Sequence, residues 1–191
     1  MNIIMVFVVI WLFLLVILHF LTANFKPHNH TCSEYAIGKF GFLMNVAFFS
    51  MMIANALLAK EFWSKQSITS ILFLIVAVGY FGLGIWKADL TISTEKETKN
   101  GKLHLLAGFI TMLFTIVLSF VIASQNKNRF LWIFSFCSLI SWLGFIVTMN
   151  IKKPIIFGIA QRIYIFIISI WTIYISVIFV WRKNWEVFAT S

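Results

Sequence analysis

Between Lys39 and Lys60 runs FGFLMNVAFFSMMIANALLA, residues 40–59, without one charged side chain. As a helix rising about 1.5 Å per residue, such a run crosses the roughly 30 Å of a hydrocarbon core. A barrel strand would cross the same slab with about ten residues of alternating polarity, and this run does not alternate. It therefore reads as a membrane-spanning helix. The same cut repeats along the chain. Nothing before Lys26 is charged, and the pairs Lys65/Lys87, Lys102/Lys127, Arg129/Lys152 and Arg162/Arg182 each enclose another uncharged run. The expectation is an all-α, polytopic bundle of six transmembrane helices, a single domain over 1–191. Its spans fall at about 3–21, 41–59, 67–86, 103–123, 130–149 and 163–181.

Composition agrees. Hydrophobic residues make up 61% of the chain and charged ones 11%, with a mean hydropathy of +0.97, outside the range of a water-soluble domain. The first span lacks a basic leader and exceeds the h-region of a signal peptide, about 7 to 15 residues, so it reads as retained. The formal charge is +9, from 15 Lys and Arg against 6 acids. The basic residues sit in small groups at the ends of apolar runs, where they set topology and meet lipid head groups. No basic face interleaved with aromatics is present, which excludes a nucleic-acid partner. Membrane lipids are the expected surroundings. Cys32 in a loop and Cys137 in mid-span lie at different depths, so no disulfide is expected between them.

Six spans place both termini on one side, with loops 23–39, 87–102 and 152–162 on the other, the motif side. That side carries nine Lys and Arg (26, 39, 87, 96, 99, 102, 152, 153, 162) against six (60, 65, 127, 129, 182, 183). The positive-inside rule leans toward a cytoplasmic motif side. All four histidines and four of the six carboxylates share it. Two polar stripes run inward from there: His104, Gly108, Thr111, Thr115 and Ser119 on the fourth span, and Arg162, Ser169, Thr172 and Ser176 on the sixth. Such stripes serve close helix packing or line a polar pocket open to the motif side.

Candidate chemistry gathers at the same end. Asp89 and His104 are the candidate catalytic pair for acid/base work, against a capping or salt-bridge role for Asp89. With Glu34 they could offer a mixed N/O set for a metal, and the residues leave open whether a metal or any other cofactor is bound. Ser33, His104 and Asp89 supply the side-chain types of a nucleophilic triad, but no nucleophile elbow surrounds Ser33. His28 and His30, one residue apart, read as a solvated loop. Arg162 and Lys102 suit an anionic group, the Arg by its two-pronged fork, and Gln161, Glu34, Tyr35 and Ser33 complete the candidate ligand-binding set.

Ordered motifs then carry a resemblance. His19-Phe20-Leu21, Ser33-Glu34-Tyr35-Ala36 with Gly38 and Gly41, Lys87-Ala88-Asp89, Gly101-Lys102-Leu103-His104 and Gly158-Ile159-Ala160-Gln161-Arg162 with Trp171 occur in sequence. Together they resemble the bacterial membrane family of domain of unknown function 998 (DUF 998) over nearly the whole chain. His28 and His30 fall outside the pattern. The resemblance implies a six-helix protein of the bacterial cytoplasmic (inner) membrane and implies no activity. Three functions remain open from the residues. One is a protein that binds or moves a lipid or small amphiphile, with an anionic lipid or amphiphile as partner; another is a membrane-embedded hydrolase or lipid-modifying enzyme using Asp89 and His104; the last is a structural or accessory subunit.

Overall fold

The computed structural model describes residues 2–22, 24–64, 66–91, 97–150 and 156–189, with backbone alone at 150 and from 179 onward. Lys65, Lys96, Lys152 and Lys153, which entered the charge reading, lie outside the described residues. Six long helices follow in order: α1 (Ile3–Leu21), α2 (Gly41–Phe62), α3 (Ser67–Ile85), α4 (Lys99–Asn126), α5 (Arg129–Asn150) and α6 (Phe157–Ala189). A short 3-10 helix, Cys32–Ile37, precedes α2. Each of the six is long and apolar enough to cross a membrane. The protein is a multi-pass membrane protein, all-helical among the described residues.

The helix ends follow from local chemistry. Asn2 opens α1 by accepting from the Ile4 amide at 3.1 Å, and Thr98 opens α4 by accepting from the Gly101 amide at 3.0 Å, each satisfying a donor that the first helical turn leaves free. Lys127, with φ of 50°, ends α4 in the left-handed region. Asn128 then accepts from the Phe130 amide at 2.9 Å and starts α5.

Each helix packs on its chain neighbours, and α6 returns to α1, so the bundle closes as a ring. At the seam the Asn2 side chain donates to the Ser176 carbonyl at 3.0 Å. The half of the bundle nearer the termini is filled with buried Phe62, Phe73, Leu118, Ile122, Trp171 and Ile175, and Phe73 stacks on Trp171 with centroids 6.4 Å apart. The outer surface carries exposed Phe13, Phe42, Val78, Phe130, Ile140 and Phe166, which suit contact with lipid tails. Gly79 lets α3 approach α4, since a methyl group there would collide with the Thr111 side chain.

Most of both polar stripes serve this packing. Thr115, Ser119, Ser169, Thr172 and Ser176 are buried, and each hydroxyl donates to a carbonyl three or four residues earlier on its own helix. Small side chains with their hydroxyls satisfied locally let helices approach without orphaned donors.

Two helices start before the charge-delimited windows. α4 begins at Lys99 rather than 103 and α6 at Phe157 rather than 163. A basic residue does not have to end a helix when its head reaches an interface or a loop, and Lys102 is the fourth residue of α4 and Arg162 the sixth of α6.

Candidate functional site

The first loop is held from below by the first turns of α6. Arg162 Nη1 donates to the carbonyls of Pro27 at 2.7 Å, His30 at 2.8 Å and Gly158 at 2.8 Å. Its Nη2 donates to the Tyr35 hydroxyl at 2.7 Å, and the guanidinium lies 5.6 Å from the centroid of that ring. Gly158 makes the approach possible, because a Cβ there would run into the Pro27 and His30 carbonyl oxygens. One turn further, Gln161 Oε1 accepts from the Cys32 amide at 2.7 Å. Burial pushes the Tyr35 phenol and the Cys32 thiol upward from their ordinary values, with the Arg162 charge pulling each back in part. Both stay protonated at neutral pH.

Glu34 knits the first loop to the second. It is fully buried, 0% exposed. One carboxylate oxygen accepts from the Thr91 amide at 2.7 Å, and the other pairs with His30 Nδ1 at 2.5 Å. A buried carboxylate is tolerable only when its oxygens are matched in this way.

The second loop ends on the N-terminus of α4. Asp89 accepts from the Thr98 amide at 2.7 Å and from the Thr98 hydroxyl at 2.8 Å, while that hydroxyl accepts from Gly101. A carboxylate beside the positive end of a helix dipole is favourable. One turn below, His104 Nδ1 lies 2.6 Å from the Trp86 carbonyl, its ring edge-on to Phe48 at 5.9 Å. Lys102 is exposed beside them.

Beneath these loops lies a cavity of about 710 Å³. Thr31, Ser33, Asp89, Thr98 and Lys102 line its mouth, and His104 its upper wall. Farther in, the walls are Trp11, Phe48, Tyr80, Met112, Trp142 and Tyr164. The cavity occupies the motif-side half of the bundle and ends above the packed aromatic layer of Phe73 and Trp171.

The family model described as Protein of unknown function (DUF998) matches residues 5–178, which contain every element of this site. The chain belongs to the DUF998 family. No curated protein and no solved structure matches it.

In this DUF998 chain the residues singled out by sequence fall into separate groups. Asp89, His104, Lys102, Ser33 and Gln161 line the cavity, whereas Arg162, Tyr35 and Glu34 are not among its lining residues. Arg162, expected to receive an anionic group, has both terminal nitrogens engaged by the protein itself. Glu34, expected in the ligand-binding set, is buried between two loops. His30, read as part of a solvated loop, is the partner of Glu34. The metal set Asp89, His104 and Glu34 is not assembled, and among the described residues no group of three His, Cys, Asp or Glu could hold an ion. The relay of a triad is also missing: His104 bonds the Trp86 carbonyl and Asp89 bonds Thr98.

Sequence reasoning missed Thr91, Thr98 and the aromatic cavity walls of this DUF998 protein. Thr98, three residues before Gly101, had the pattern of an N-cap and was legible. Phe48, Tyr80, Trp142 and Tyr164 carried no signal, because in a membrane helix a wall facing a cavity and a wall facing lipid are equally apolar.

Proposed function

We propose that the protein binds a lipid or small amphiphile of the bacterial cytoplasmic membrane, its tail in the cavity and its polar head at the motif-side mouth. The cavity carries this reading. Its volume lies within the roughly 300–1,000 Å³ of small-molecule sites, and an apolar body under a few convergent polar groups is the usual build of such sites. Arg162 serves the first loop, so Lys102 is the cation at the mouth. Asp89 holds Thr98 with both oxygens, an arrangement that suits a cap better than a proton-transfer group.

Native mass spectrometry of the gently extracted protein tests the reading. Wild type should retain a stoichiometric amphiphile. Gly108→Phe should lose it with thermal stability kept, because Gly108 lines the cavity and an added Cβ meets only Leu83 at 3.6 Å, an ordinary contact. Equal occupancy in the two proteins, or none in wild type, would count against the proposal.

A further inference from the structure

His104 lines the cavity and is only 6% exposed. A carbonyl oxygen can only accept, so the contact with Trp86 places a proton on Nδ1. Among the described residues no carboxylate bonds the ring, and a buried cation without one is costly. The neutral ring then offers Nε2 as a bare acceptor. Nε2 is buried and has no hydrogen-bond partner.

The mouth above is not built for a bare anion. Asp89 and Glu97 line it beside Lys102, and Asp89 already takes the amide end of α4 where an anion would otherwise settle. Below His104 the walls turn apolar at Phe48, Leu83 and Met112, and desolvating a charged group among them would be expensive.

Resting on the amphiphile reading, we infer that the occupant is an uncharged, hydroxyl-bearing amphiphile of the long-chain alcohol or monoacylglycerol class, whose O–H donates to His104 Nε2. His104 selects for a donor, and an otherwise identical molecule without one leaves Nε2 dry. Sites built around a hydroxyl discriminate strongly against analogues that lack it.

The test uses the full chain in phosphatidylcholine nanodiscs and three probes of equal length: a chain-brominated dodecanol, its methyl ether and the corresponding dodecanoate. Trp11 and Trp142 line the cavity, so saturable quenching of Trp fluorescence, at matched mole fraction in the bilayer, reports occupancy. The alcohol should bind wild type about tenfold or more tightly than the ether. His104→Phe should erase that preference, and His104→Gln, which keeps a donor and an acceptor, should retain part of it. Equal binding of alcohol and ether to wild type, or an unchanged preference in folded His104→Phe, would overturn the role of His104 and leave the amphiphile reading intact. Tighter binding of dodecanoate than of the alcohol would overturn the uncharged class. Absence of saturable quenching by all three would overturn the amphiphile reading itself.

Discussion

The guanidinium of Arg162 and the phenol of Tyr35 meet at 2.7 Å across 127 residues of sequence, with the Pro27 and His30 carbonyls on the neighbouring nitrogen. One side chain thus fixes three points of the first loop. Lys carries the same charge but no fork. Arg162→Lys should lower stability by about 2 kcal/mol, since hydrogen bonds from a charged donor contribute more than neutral ones, and should speed chymotryptic cleavage after Phe25 in the first loop. Tyr35→Phe should cost about 1 kcal/mol. Thermal unfolding in detergent and limited proteolysis measure both, and an Arg162→Lys protein as stable and as resistant as wild type would reduce Arg162 to an interfacial anchor.

Gly158 tests the same junction from the backbone side. Its missing Cβ is the space in which the Pro27 and His30 carbonyls sit, and those atoms belong to main chain that cannot rotate away. Gly158→Ala should therefore destabilise by about 2 kcal/mol or more, although Ala is the better helix former. Gly108→Ala, with room for a methyl, is the control and should melt with wild type.

Alkaline titration should also weaken the first loop. Burial raises the Cys32 thiol from its ordinary 9.0 and the Tyr35 phenol from 10.0. Above about pH 9 the unfolded chain releases protons that the folded chain keeps, so the folded state binds more and stability falls as pH rises. Below that value these two groups leave stability unchanged. The melting temperature of wild type should drop through this window, and Cys32→Ala and Tyr35→Phe should each flatten the drop. A wild-type curve that is flat to pH 11 would contradict the assignment.

Asp89 is expected to behave as a cap. Asp89→Ala removes both acceptors of Thr98 and should cost about 1 kcal/mol, the usual worth of an N-terminal capping group, with amphiphile occupancy retained. If occupancy disappears while the fold persists, Asp89 contacts the ligand and its role is wider than capping.

The six helices were legible in the positions of Lys and Arg because a hydrocarbon slab tolerates few charges, so the ends of the uncharged runs nearly coincide with helix ends. The same logic misplaced the start of α6, since Arg162 lies one turn inside the helix and satisfies its charge on loop carbonyls. Asp89, His104, Lys102 and Ser33 were recognisable as neighbours of one opening from their sidedness alone. That Glu34 would pair with His30, and Arg162 with Tyr35, was not. Such pairings depend on how the loops fold over the helix ends, and periodicity within a helix carries no information about that.

The closure of the ring by its first and last helices sets an order of events during synthesis. Asn2 and its acceptor Ser176 are separated by 174 residues, which at about 5–20 residues per second is a wait of roughly 9 to 35 s between the emergence of the two. Through that interval α1 has α2 beside it and Tyr80 of α3 against its Trp11, but the flank destined for α6 faces lipid or the insertion machinery. The amino-terminal helix must therefore be tolerated as an unfinished surface by whatever receives the nascent chain, and the protein reaches its final form only when the sixth helix arrives.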